Sequence, residues 1–419
     1  MALEILPGEL VILATMQEDM KILICTFSFP YFHGNVFDSR FVYGEAAGYA
    51  ANGAQVTVLT PHFPGSPIEE TLDSGIRVIR FRYFFPFSLQ RARVPGKPLY
   101  NPGSLLALLQ LPILCLVFVF NIFRYAGQAN IIHAQWTLTA LLALPAKWLR
   151  RKTLVVTARG SDIRLLPQWL NRFIFRCVDA AIDCFGPTSW NLENKERFPS
   201  NYIELPHMVL NDSGDEMPVE LSAIREKDPD AFIIMYTGRF HPIKVEENKL
   251  PLFDLVRCAA ILKKQGHHFH IVYIGEGEPQ IMQQLELLIT ENAVSDCVTL
   301  AGRKTDVMTY MRYCDIGLGG IAFNGVSQEY TINAKPQILF ETEDNLNSPW
   351  VDGKNVLFAT PENLDDLTER LVWAMEHRKE IEMLGQQSAE DMKIYFAESR
   401  EGGGKYMEEF EKLILAKSA

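Results

Sequence analysis

Residues 20–60 read MKILICTFSFPYFHGNVFDSRFVYGEAAGYAANGAQVTVLT. From Met20 to Cys25 the chain is a short apolar run broken only by Lys21, the pattern of a buried strand. A loop follows, Ser28 to Gly34. Next comes a helical pattern from about Ser39 to Asn52, stopped by Gly53. Ala46, Ala47 and Ala50 keep its surface small, as close packing on a sheet needs. Gln55 to Thr60 is a second strand. Strand, crossover helix and strand form a β-α-β unit, the start of a parallel, doubly wound sheet.

The pattern extends from there. Residues 1–19 carry Glu4, Glu9, Glu18 and Asp19 and no Lys or Arg. They lack the basic start of a secretory signal and read as an N-terminal extension. Residues 76–82 are a third strand with a basic face. Residues 130–133 and 153–157 are further strands, with a helix across 138–149 between them. A second alternation begins near 231: strands at 231–237, 268–274, 297–300, 316–318 and 336–340, with helices across 252–265 and up to about Ile289. Between the two series lies 210–228, weakly patterned and rich in Asp, Glu and Pro. The fold class this implies is α/β, with two Rossmann-like domains facing across a cleft. Their expected spans are 20–208 and 209–390.

A chain of 419 residues is too long for one ordinary core, which supports the same division. Its 48% apolar and 22% charged content is that of a globular protein. None of the seven cysteines makes a C-x-x-C pair, and most sit in apolar runs, so they read as buried free thiols of a reducing compartment. The net charge of −11 hides an asymmetry. Residues 20–208 hold 19 Lys and Arg against 11 Asp and Glu, a net of +8, and residues 209–419 carry −15. The basic half suits an anionic membrane surface. Nucleic acid is not an expected partner, because no nucleic-acid motif is present.

Two segments bear on membrane contact. Residues 77–97 set Arg77, Arg80, Arg82, Arg91, Arg93 and Lys97 around Tyr83, Phe84, Phe85 and Phe87. Cations around aromatics suit a lipid interface. The alternative is a strand edge whose aromatics fill the core. Residues 105–123 hold no charge and are long enough to span a bilayer. Their place between two strands of one domain argues instead for a helix packed on the sheet or lying in an interface.

In an open parallel sheet, ligands bind at the carboxyl ends of the strands, so chemistry belongs in the loops that follow them. Gly238 and Arg239 open such a loop and Lys244 closes it. Two fixed cations could hold a diphosphate and neutralise a departing phosphate. They could also be solvated surface charges. Gly275, Glu276 and Gly277 follow the next strand, where glycines let backbone amides approach a ligand. Gly325 leads into a helix bearing Glu329, a carboxylate that could accept from ribose hydroxyls or merely suit the helix start. In the first domain, Gly34 follows strand one. Arg159 and Asp162 follow the 153–157 strand, where Asp162 could instead cap a helix. His267, His268 and His270 are separated by strand alternation and lack metal-ligand spacing.

Together these loops resemble the retaining GT-B glycosyltransferases of family 4. That family has a Gly-Arg loop with Lys five residues on, as at Arg239 and Lys244. Its Gly-Asp-Gly turn is similar to Gly275-Glu276-Gly277, and the segment after it to Gly302-Arg303. An Ile-x-His-Ala segment looks like Ile132-His133-Ala134. Its Thr-x-His-Gly-x-Asp segment is similar to residues 157–162. Residues 402–414 look like the terminal helix that crosses back to the first domain, giving 391–419 that role. Two departures stand out. The family pairs two glutamates seven residues apart, and only the second, Glu329, is present, with Ile321 or Asn324 in the place of the first. Arg159 stands where the family has His.

The resemblance implies a hexosyltransferase-type enzyme that retains configuration. It would move a sugar from a nucleotide-sugar donor to a glycan or lipid-linked acceptor, with no metal or other cofactor. Arg239, Lys244 and Arg159 would be catalytic. Gly34, Gly238, Gly275, Glu276, Gly302, Arg303, Gly325 and Glu329 would bind donor. His133 and Asp162 would lie on the acceptor side. The setting would be polysaccharide biosynthesis in the cytoplasm, with peripheral contact at the inner face of the membrane through 77–97 and 105–123. Two alternatives remain open. One is a catalytically silent homologue that binds a nucleotide sugar or a partner, suggested by the missing glutamate. The other is a sugar-nucleotide 2-epimerase, which would need acid/base carboxylates.

Overall fold

A computed structural model describes residues 20–34, 39–93, 104–159, 166–183, 201–238, 240, 252–319, 325–346 and 348–418. Arg239, Lys244 and Asp162 lie outside the described residues, as do Lys97 and positions 321 and 324. The chain divides into two compact units: residues 1–186, 191–210 and 397–419 make the first, and residues 187–190 and 211–396 the second.

The first unit is built on eight strands: β1 (Lys21–Cys25), β2 (Gln55–Pro61), β3 (Glu69–Thr71), β4 (Arg77–Phe81), β5 (Ile131–Gln135), β6 (Thr153–Thr157), β7 (Ala180–Asp183) and β8 (Tyr202–Glu204). Their order is β3-β4-β2-β1-β5-β6-β7-β8. All neighbours are parallel except β3, which runs antiparallel to β4. A further strand, β9 (His207–Val209), lies outside this sheet against the helices Arg40–Ala51 and Ser399–Ser418.

Those two helices meet backbone to backbone. A Cβ on Gly48 would sit 2.2 Å from the Ser399 carbonyl oxygen, and one on Gly403 would sit 2.3 Å from that of Gly48. Tyr49 packs on Tyr406 and Phe410 beside the contact. Helix Leu105–Ala126 packs against β1, β2, β4 and the helix Thr137–Arg150, turning Leu114, Phe118 and Ile122 inward.

The basic face expected of residues 76–82 is in part internal. Arg80 is fully buried, 2.6 Å from Glu70, and donates to the Pro30 carbonyl. Arg93, further along the same basic segment, is also buried and donates to Ser28 Oγ at 2.8 Å. Strand alternation hides such charges from a sequence reading, because a paired arginine can face the core as readily as solvent.

The second unit holds β10 (Phe232–Thr237), β11 (Phe269–Ile274), β12 (Val298–Gly302), β13 (Ile316–Leu318), β14 (Gln337–Phe340) and β15 (Leu357–Ala359). They are parallel throughout, in the order β12-β11-β10-β13-β14-β15. This is the doubly wound 3-2-1-4-5-6 order, so the α/β class read from the sequence holds for both units. The weakly patterned segment 210–228 contains a helix, Val219–Lys227, with Leu221 and Ile224 buried. Its periodic signal is only those two residues. Contacts from elsewhere in the unit hold it: Tyr310 Oη donates to Glu220 at 2.6 Å, and Lys304 pairs with the same carboxylate.

Candidate active site

Strand order locates a ligand crevice within each unit. In a doubly wound sheet it lies outside the carboxyl ends of the two strands where the order reverses. That is β1 and β5 in the first unit, and β10 and β13 in the second.

At the first unit's reversal, β5 ends in His133, Ala134 and Gln135, and β6 leads to Arg159. His133 is fully buried, 3.2 Å from Tyr49 Oη through Nδ1 and 2.7 Å from Thr157 Oγ1 through Nε2. Burial, with the Arg159 charge adding to it, pushes its pKa down to about 3, so the ring is neutral at ordinary pH. His207 on β9 is shifted to about 3 by the same two causes. Arg159 pairs with Glu45 from the Arg40–Ala51 helix and donates to Gln135 Oε1 at 2.7 Å. Its guanidinium lies 4.5 Å from the centre of the Phe41 ring. Gln135 completes the group by donating to the other Glu45 oxygen at 2.5 Å. Desolvation raises the Glu45 pKa, opposed by Arg159 and Gln135. Trp136, next in sequence, holds a φ of 71°, a conformation that non-glycine residues adopt mostly at constrained sites. Gly34 closes a short 3-10 turn, Phe32–Gly34, in the loop after β1.

Glu45, Gln135 and Trp136 were not singled out by sequence reasoning. Glu45 looks like a surface residue of an amphipathic helix, and only the pairing with Arg159 explains its burial. The stretch before Gln135, Ile131-Ile132-His133-Ala134, carries no pattern that marks that side chain as buried.

In the second unit, Gly238 follows β10 and Gly275 follows β11. Gly275 has a φ of 144°, and a Cβ there would sit 1.9 Å from the Gly238 carbonyl oxygen. Gly277 is equally constrained, with Phe240 main chain 2.3 Å from its would-be Cβ. The Phe240 amide donates to the Glu276 carbonyl at 3.1 Å, which ties the two loops together. Gly302, with a φ of 70°, ends β12 and accepts from the Gly275 amide at 2.9 Å. Glu276 and Arg303 form a largely exposed ion pair at 3.3 Å. The structure thus brings Gly238, Gly275, Glu276, Gly302 and Arg303 into one loop cluster.

Gly325 begins the helix Gly325–Ile332, and half-buried Glu329 is its fifth residue, one turn beyond the start. The helix is fixed by Tyr330, whose hydroxyl donates to the Met235 carbonyl at 3.1 Å and lies 3.2 Å from Thr237 Oγ1. Gly317 on β13 makes room for that ring, since a Cβ there would lie 2.4 Å from it. Glu329 is therefore carried on a helix pinned to the end of β10, beside Gly238. Of the three histidines, His268 meets Asp228 at 3.0 Å and His270 meets Thr299 at 2.8 Å. Among the described residues no group of His, Cys, Asp and Glu is arranged to hold a metal.

Residues 39–184 match the family model described as a glycosyl transferase 4-like domain. Within the first unit, these residues form a glycosyl transferase 4-like domain. That domain places the chain among the glycosyltransferases, and solved structures give the two-domain GT-B fold. HepE of Anabaena in complex with UDP-glucose is 14% identical, with a TM-score of 0.62 over 94% of this chain and 100% of that one. Sucrose-phosphate synthase of Thermosynechococcus elongatus is 16% identical, with a TM-score of 0.66 over 95% and 100%. A glycosyltransferase of Rickettsia africae is 12% identical, with a TM-score of 0.65 over 94% and 99%. No curated protein sequence matches the chain.

Proposed function

We propose that this glycosyltransferase transfers a hexose from a uridine-diphosphate sugar to a glycan or lipid-linked acceptor, with retention of configuration and without a metal. One observation supports this best: the loop cluster at the ends of β10, β11 and β12, where Gly275 leaves space only for backbone beside Gly238. Such a cluster suits a diphosphate held by main-chain amides. Arg239 and Lys244, which follow Gly238 in the sequence, supply positive charge to the leaving diphosphate, the work that a metal does elsewhere. Glu329 accepts from the ribose hydroxyls, and Arg303 stands by the phosphates. In the first unit, Gly34 meets the donor, Arg159 is catalytic, and His133 and Asp162 belong to the side that receives the acceptor. Arg159 acts there through Glu45 and Gln135 as much as by its own charge. The acceptor hydroxyl then attacks from the face that the diphosphate leaves. The six described cysteines are all free thiols, which fits a cytoplasmic enzyme.

The test is turnover with a panel of nucleotide sugars, UDP-glucose first. Lys244→Ala and Arg239→Ala should each lower kcat by roughly 100-fold while the fold is kept. Unchanged rates in both would remove the assignment. Binding without turnover in the native chain would mark a silent homologue.

A further inference from the structure

Residues 74–161 contain twelve Lys and Arg and no Asp or Glu. The fold takes some of these cations inward or pairs them: Arg80, Arg93 and Arg159 are buried, Arg77 meets Glu69, and Lys147 meets Asp179. Arg82, Arg91, Arg124, Arg150 and Arg151 stay exposed. They flank an apolar surface. Helix Leu105–Ala126 has one face on the sheet, while Leu105, Leu109, Leu116 and Phe120 on the other are 72%, 63%, 71% and 65% exposed. Spacings of four and seven residues put these four in one row along the helix.

Both ends of the row are extended by neighbouring segments. Gln110 anchors the 85–91 loop, accepting from the Arg91 amide and donating to the Leu89 carbonyl, both at 2.7 Å. That loop bares Phe85, Phe87 and Leu89, with Arg82 over the Phe87 ring at 4.0 Å. Toward the other end, Arg150 covers Phe123 at 4.3 Å, and Trp148 and Leu149 beside it are exposed.

We infer that this face binds the surface of an anionic lipid bilayer, with the Leu105–Ala126 helix lying in the membrane plane. The apolar row enters the acyl boundary and the arginines meet lipid phosphates. The helix is long and apolar enough to cross a membrane. It does not cross, because Leu114, Phe118 and Ile122 are fully buried against the first unit and Gln110 holds a loop. A second copy of the chain is a poorer occupant: a two-fold contact would set a surface with cations and no acids against itself.

Co-sedimentation of the full chain with vesicles tests this. Binding is expected to vesicles of phosphatidylglycerol and phosphatidylcholine, to weaken with salt, and to be slight with phosphatidylcholine alone. Leu116→Glu/Phe120→Glu should weaken it by about ten-fold or more at an unchanged melting temperature. Arg124→Gln/Arg150→Gln, a milder change at exposed positions, should remove most of the preference for anionic lipid. The inference is overturned by equal sedimentation of native chain and both variants, or by absence of vesicle binding. It is equally overturned by a lipid-free dimer that the glutamate variant dissociates, or by resistance to alkaline extraction, the mark of a span.

Discussion

Glu45 and Arg159 form an ion pair with both side chains almost wholly out of water, 1% and 5% exposed. The pair joins the Arg40–Ala51 helix to the segment after β6. Removing one partner strands the other charge in a medium that does not solvate it. Glu45→Ala should therefore cost about 3–5 kcal/mol of stability, whereas Glu45→Met/Arg159→Met should cost far less. Urea unfolding of the three proteins checks this. Equal losses for the single and double variants would show that the pair is not the source.

Acid should destabilise the first unit well before carboxylates titrate. His133 and His207 have pKa values near 3 in the fold, against about 6.5 in an unfolded chain. Between these values the unfolded state binds more protons, so stability is full above about pH 6.5 and falls as pH drops toward 3. Each histidine contributes a slope of roughly 1.4 kcal/mol per pH unit inside that window. The raised Glu45 pKa acts in the opposite sense. Melting curves from pH 7 to about 5 should be visibly flatter for His133→Gln than for the native chain.

Gly275→Ala places a methyl group on the Gly238 carbonyl oxygen and forces alanine to a φ of 144°. The two loops must separate, at a cost of roughly 2–4 kcal/mol. Nucleotide affinity, read by calorimetry, should fall along with the melting temperature. Gly325→Ala meets no atom of the described residues within 4 Å and should leave stability nearly unchanged, which makes it the stability control.

Tyr330→Phe removes a hydroxyl with partners on Met235 and Thr237. The expected loss is about 1–2 kcal/mol, with a higher KM for donor because the helix bearing Glu329 loses its tie to β10. Glu329→Gln should weaken donor binding with little change in melting. If Glu329→Gln lowers the melting temperature and spares affinity, the carboxylate serves the helix and not the ribose.

The parallel sheets were legible because their strands are short apolar runs separated by helical periods, and nothing else packs that way. Gly275 was legible as a loop residue, since glycine after a strand marks a conformation that side chains resist. The Glu45–Arg159 pair was not. Its members are 114 residues apart, and an isolated acid on a helix looks the same whether it faces water or an arginine. The Val219–Lys227 helix was missed for a similar reason: with two buried apolar residues, it depends on Lys304 and Tyr310 holding Glu220. The inward turn of Arg80 and Arg93 likewise depends on partners that lie elsewhere in the chain.

The Gly48–Gly403 contact has a consequence for biosynthesis. Residues 397–418 belong to the first unit yet leave the ribosome only after the whole of residues 211–396. The eight-stranded sheet can be assembled early, but the surface of the Arg40–Ala51 helix, with Tyr49 and the backbone of Gly48, stays uncovered during that interval. The second unit, nearly all of it in residues 211–396, can finish folding first. A nascent chain stalled before Ala397 should then expose a narrow apolar groove to chaperones, and a slow step at the end of translation would set the yield of folded enzyme.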